Sequence, residues 1–167
     1  MAPIEAEQPA PVIDIELRDA EGAVRTIDGA LSAGSVVLGI YKSSCQGSKA
    51  MFPMLERLHK RYGDKGLTVL GVAQDSANVT RSFARRYGIT FPIIIDPDNY
   101  TISRAFDIFA TPTVFLIRPD GTVAATIMGF FKEQVNQFAA SVAEALGLPD
   151  EPLTSEEETD VPMFVPG

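Results

Sequence analysis

Three short, nearly unbroken apolar runs constrain this chain most: SVVLGIYK (35–42), LTVLGVAQ (67–74) and FPIIID (91–96). Runs of this length, rich in β-branched residues and without polar alternation, predict strands buried on both faces. Between them the period changes. Met51, Met54, Leu55, Leu58 and Tyr62 fall at helical spacing, and Gly63 closes that helix. Pro53 lies inside it, removes one backbone donor and predicts a kink. A second helix is expected over 76–88, with Ser76 or Asn78 as cap and Gly88 as stop. A short one follows over 99–107, capped by Asp98 or Asn99. Strands at 111–117 and 122–130 flank the turn sequence RPDG and predict an antiparallel hairpin. A last helix over 132–147 carries Val135, Phe138, Ala139, Val142 and Leu146 on one face. Residues 11–27 alternate around a glycine turn and read as an N-terminal β-hairpin. Strands alternating with helices give a layered α/β domain, and the closing hairpin makes its central sheet mixed.

At 167 residues the chain is long enough for one full core. We place the domain at 11–147, after an N-terminal extension (1–10) and before a C-terminal tail (148–167). The net charge of −8 is unevenly spread. Residues 1–132 balance 14 bases against 14 acids, whereas 133–167 hold 8 acids and no base. Acidity placed in this way favours solubility and argues against a nucleic-acid partner. The proline and acid content of 148–167 predicts disorder or an extended path, with VPMFV (161–165) able to dock on a surface. No apolar stretch approaches the length of a membrane helix, and the first residues lack the basic and apolar regions of a signal peptide, so the expectation is a cytoplasmic protein without a membrane partner.

The chemistry concentrates at KSSCQGSK (42–49), which holds the only cysteine, Cys45. One thiol can form no internal disulfide and no four-thiolate metal site, and no metal is expected. Cys45 opens the helix defined by Met51 to Tyr62. A helix N-terminus offers unpaired N–H groups and partial positive charge, and both favour the reactive thiolate. Lys42 and Lys49 flank the cysteine and add positive charge, and Ser48 stands one turn on, where its hydroxyl or N–H can donate to sulfur. The expectation is a partly exposed sulfur with a depressed pKa. The bland alternative is a buried, inert cysteine.

The element order, YKSSCQGSKAMFPMLERL, the FP-to-Asp segment at 91–96 and Thr111-Pro112-Thr113 before a strand together resemble the thioredoxin-like redoxins. The similarity is to the branch of TlpA/ResA-type thiol–disulfide oxidoreductases and AhpC/TSA proteins, over about residues 11–147. It implies a three-layer α/β/α sandwich with Cys45 as nucleophile in the active-site motif with Gln46, Gly47 and Ser48. It also implies a cis proline at Pro112 facing the thiol, and a substrate groove formed by Thr111 and Pro112 with Tyr41 nearby. The chain departs from the pattern at several places. Ser48 replaces the resolving cysteine, Ser44 the usual aromatic, and Gln46-Gly47 the usual proline-containing pair. The buried carboxylate six residues before the nucleophile falls on Gly39.

Thiol–disulfide exchange would start with attack by Cys45 on a disulfide-containing protein or small disulfide. Ser48 cannot release the mixed disulfide. An external thiol such as glutathione or a thioredoxin-type partner must do so, or two chains join through Cys45. No other cofactor is implied. A one-cysteine peroxidase would instead oxidise Cys45 to a sulfenic acid, but the peroxiredoxin motif P-x-x-x-[T/S]-x-x-C finds Leu38 and Lys42 at its first two positions. A redox-inert binding module is the non-enzymatic alternative. His59, on the same helix as Cys45 and about 21 Å along it, is too far for a dyad. DPDNYTISRAFD (96–107) lacks the glycine of a calcium loop. Asp75 and Asp96 follow strands and read as turn or cap residues, and RLHKRYGDK (57–65) as a solvated basic face.

Overall fold

The computed structural model describes residues 5–13, 15–97 and 99–166. Residues 1–4 of the extension, Asp14 in the hairpin segment, and Asp98, one of the two expected caps, lie outside them. The elements are β1 (Leu17–Arg18), β2 (Val24–Arg25), α1 (Ile27–Ala33), β3 (Ser35–Tyr41), α2 (Gln46–Tyr62), β4 (Leu67–Ala73) and α3 (Ala77–Tyr87). They continue with β5 (Ile93–Ile95), α4 (Thr101–Ala105), β6 (Thr113–Ile117), β7 (Val123–Met128), β8 (Phe130–Phe131), α5 (Lys132–Leu146) and β9 (Phe164–Val165).

Among the described residues the central sheet has the order β5-β4-β3-β6-β7. β3, β4 and β5 run parallel; β6 lies antiparallel to β3, and β7 to β6. All seven residues of β3 are buried, as a strand covered on both faces requires. Its side chains alternate between two cores. Val37 and Tyr41 pack with the apolar faces of α2, α3 and α5. Val36, Leu38 and Ile40 pack with Ile27 of α1, Ile102 of α4 and Leu17 of β1. The result is the three-layer α/β/α thioredoxin-like fold, with a mixed sheet and a short N-terminal β1–β2 hairpin.

Two features differ from the sequence expectations, and the structure decides between the two readings of the tail. The segment after the hairpin coils into α1, whose N-cap Thr26 accepts from the N–H of Gly29 at 3.0 Å. The short helix α4 is not capped by Asn99. The carboxylate of Asp96 accepts from the N–H groups of Ile102 and Ser103 at 2.8 and 3.0 Å. Of the two readings of the tail, disorder or an extended path with VPMFV docked, the structure has the second. Leu153 and Val161 are buried in the core against α2 and α5. The Arg57 guanidinium pairs through both nitrogens with Glu158 at 3.0 and 2.8 Å and donates to the carbonyl of Leu153 at 2.9 Å. Asn136 brackets Leu153 and Thr154 with three hydrogen bonds. Finally β9 pairs antiparallel with β8, setting Phe130 opposite Val165 and Phe131 opposite Phe164. Arg57 of α2 thus pairs with Glu158 of the tail, Arg61 donates to the backbone carbonyls of Glu151 and Pro152, and Leu153 and Val161 supply the buried apolar contacts.

Candidate active site

Cys45 is the N-cap of α2, with an extended backbone (φ −83°, ψ 125°). Its carbonyl accepts the first helical bond, from the N–H of Lys49 at 3.2 Å. The chain reaches this point from buried β3 through a turn in which the Cys45 N–H donates to Lys42 at 3.0 Å. The carboxylate of Asp75, just beyond β4, accepts from the N–H of Ser43 at 2.7 Å and pins that turn. α2 then runs unbroken through Pro53 to Tyr62 and ends in His59, Lys60 and Arg61, whose basic character suits a helix C-terminus.

The sulfur is half-buried. Its S–H donates to the carbonyl oxygen of Thr111 at 3.1 Å, across 66 residues of chain. The Thr111–Pro112 peptide bond is cis. The carbonyl of Pro112 in turn accepts from the N–H of Gly129 at 2.8 Å, so the end of β7 fixes the proline. Burial pushes the thiol up. The N–H of Ser48, the Thr111 side chain, the Ser48 hydroxyl and the N–H of Gly47 pull the other way, and the net effect holds it below its ordinary value. Ser48 is wholly buried, and its hydroxyl makes no hydrogen bond among the described residues while Cys45 is a thiol. A hydroxyl rotates freely, so it can turn to a sulfur that has become an anion.

Gly47 is where a side chain has no room. A Cβ there would stand 2.9 Å from Cδ of Pro112, 3.0 Å from the carbonyl oxygen of Pro166 and 3.6 Å from the Cys45 sulfur. The first turn of α2, the proline loop and the end of the tail therefore converge on one glycine. The participation of Pro166 was not legible in sequence beyond the apolar character of VPMFV.

The other expected site residues separate. Gln46 is exposed beside the thiol. Lys42 is exposed and Lys49 half-buried, and neither ammonium hydrogen-bonds another described residue. Support for the thiolate comes instead from the backbone and hydroxyl groups around the sulfur. Tyr41 is not in the groove. It is 0% exposed, with its ring 4.0 Å from that of Phe52 and 4.8 Å from that of Phe83. The reason is its place at the inward-facing end of a strand covered on both sides. Burial, then the charge of Asp75, push its phenol far up, and Thr80 offsets this only in part. Gly39 faces the same core, where a Cβ would meet Leu55 at 2.7 Å and the Phe52 ring at 3.5 Å. Hydrocarbon fills that position. His59 sits edge-on to Phe91, away from the sulfur. Among the described residues no cluster of His, Cys, Asp and Glu could hold a metal ion. No described helix is long and apolar enough to cross a membrane.

The family model described as AhpC/TSA matches residues 7–126. A protein named thiol-disulfide oxidoreductase ResA from Geobacillus thermodenitrificans is 31% identical over 132 residues, covering 77% of this chain and 74% of that protein. ResA of Bacillus subtilis is 28% identical over 63% of this chain, a match that spans 59% of the Bacillus protein's length. Among solved structures, a putative thiol:disulfide interchange protein DsbE from Chlorobium tepidum superposes with a TM-score of 0.77. It is 24% identical and covers 86% of this chain and 99% of its own, a likeness of fold.

Proposed function

The chain belongs to the AhpC/TSA family, and on that premise we propose that it is a thiol–disulfide oxidoreductase working through Cys45 alone. The observation that carries this is the sulfur at the N-cap of α2, ringed by the N–H groups of Gly47 and Ser48 and by Thr111, and held below the ordinary thiol value. A thiol held below its ordinary value carries more thiolate at any given pH, and the thiolate is the nucleophile of disulfide exchange.

In the first step the Cys45 thiolate attacks one sulfur of a disulfide R–S–S–R′. A Cys45–S–S–R bond forms, the S–S bond of the substrate breaks, and R′ leaves as its thiolate. With Ser48 in place of a second thiol, release falls to an external thiol of the glutathione or thioredoxin class. Its thiolate attacks the R sulfur, forms R–S–S–R″ and returns Cys45 as thiolate. Electrons pass from the external thiols to the substrate disulfide, and no other redox cofactor enters. Thr111 and Pro112 form the wall against which R is held.

The test is deglutathionylation of a glutathionyl peptide with reduced glutathione as electron source. Turnover that Cys45→Ser abolishes supports the reading. Equal rates in the two proteins sink it.

A further inference from the structure

The C-terminal tail is built as two parts of unequal strength. Its body is firmly held: Leu153 and Val161 are buried, Arg57 grips Glu158 through two hydrogen bonds, and the ammonium of Lys132 donates to the Glu158 carbonyl at 2.8 Å. Its tip is more lightly held, with Val165, partly buried against the core, as its anchor. β9 has two residues, Phe164 is 54% exposed, and its ring meets Phe131 with centroids 4.7 Å apart at the surface. The N–H of Lys132 donates to Met163 at 3.0 Å, so the strong anchoring reaches the residue just before the tip.

Residues 164–166 reach the site. The Pro166 carbonyl and the Cys45 sulfur flank the same glycine, Gly47, with Pro112 against it as well. The end of the described tail and the sulfur thus share Gly47 as a neighbour, while the sulfur itself bonds the loop that carries Phe109, 57% exposed, into Thr111.

We propose that residues 164–166 are the specificity-determining element of Cys45, a tip that limits which disulfides reach the thiolate by their bulk. A small disulfide approaches over Thr111 with the tip docked. A disulfide on the surface of a folded protein needs the space that β9 occupies, and reacts only when the tip has lifted from β8. The body of the tail, held by Arg57 and Asn136, keeps the tip close so that it returns. The proposal rests on Cys45 as the reacting thiol.

Two disulfides with the same leaving group separate bulk from chemistry. One is 5,5′-dithiobis(2-nitrobenzoate). The other is a folded protein carrying one surface thiol as its mixed disulfide with thionitrobenzoate. Both release the same coloured thiolate when Cys45 attacks. In a chain ending at Met163, with folding checked by its melting transition, the rate with the labelled protein is expected to rise about tenfold, as for a tip docked nine-tenths of the time. The rate with the small reagent is expected to change less than about twofold, because its path is already open. Phe164→Ser, which removes only the surface ring contact, should move the same ratio in the same direction by less. An unchanged ratio in both variants overturns the proposal and leaves Cys45 as nucleophile. Inertness toward the small reagent in every variant overturns both.

Discussion

The Cys45 sulfur and the Thr111 carbonyl oxygen lie 3.1 Å apart, although 66 residues separate them in the chain. The thiol can donate to that carbonyl, whereas the thiolate cannot. Ionisation therefore exchanges this bond for the N–H groups of Gly47 and Ser48 and the hydroxyls that face the sulfur. Alkylation of Cys45 should accordingly follow a single titration with its midpoint below that of a free cysteine. Ser48→Ala should move the midpoint upward, because one donor to the anion is lost. The pH dependence of the iodoacetamide rate, read by mass spectrometry, checks both. Since the folded-state value is the lower one, ionisation of Cys45 adds stability as pH rises through it, in full above the unfolded value.

On the proposed mechanism, Ser48→Cys should convert an externally released intermediate into an internally released one. A thiol one helical turn away acts at a high effective concentration, so insulin reduction with dithiothreitol should rise by roughly 100-fold. Unchanged insulin reduction, with the new pair still able to oxidise, would show that position 48 cannot reach the mixed disulfide.

Gly47→Ala places a methyl group against Cδ of Pro112 and the Pro166 carbonyl, at 2.9 and 3.0 Å. A ring and a backbone oxygen cannot rotate away as a long side chain would. Overpacking of this kind costs about 1–3 kcal/mol, more than the helix propensity gained by replacing glycine, about 1 kcal/mol. Urea unfolding should show a net loss of stability.

Leu153→Ala tests whether the tail belongs to the fold. Leu153 is 4% exposed, and removing a buried leucine side chain costs about 2–5 kcal/mol. The loss should appear in the single global unfolding transition. The neighbouring ion pair adds an acid dependence. Arg57 beside Glu158 lowers its carboxyl from 4.5 to about 2. Its contribution is complete above pH 4.5 and fades as pH falls through about 2, so tail docking, followed by hydrogen exchange at 153–163, should weaken over that interval.

Tyr41→Phe should leave the chemistry alone. The phenol oxygen is buried and makes no hydrogen bond of good geometry. Its removal should change stability by no more than about 1 kcal/mol and leave the alkylation rate of Cys45 unaltered. A fall in that rate would restore Tyr41 to the site.

Strands β3 and β4 and helix α2 are legible from local pattern because a run of Val, Ile and Leu, or an apolar stripe at helical spacing, has few other ways to be buried. Cys45 is legible for the same reason, since strand and helix leave the cysteine at their junction. Helix α1 is not. Its seven residues contain Gly29, and Ile27 continues the alternation of the hairpin, so the capping by Thr26 is masked. Where the tail docks is hidden for a different reason. It depends on Arg57, Arg61 and Asn136, which look like ordinary surface residues until the fold brings 151–158 to them. Tyr41 shows the limit of adjacency. Four positions before the thiol along the chain, it faces the opposite way from solvent.

Gly39 has a consequence for how protons are handled. With Leu55 and Phe52 occupying the space beside it, no carboxylate can be housed there without displacing hydrocarbon. The protein fixes the charge state of its own sulfur through local dipoles and supplies no acid–base partner from that direction. In the proposed exchange, protons are therefore passed at the exposed side of the sulfur, among bulk water, the incoming thiol and the polar groups around Cys45, and not through the core at Gly39. In the proposed cycle the acidity of the partner's sulfur then contributes to the rate, a property the partner carries with it.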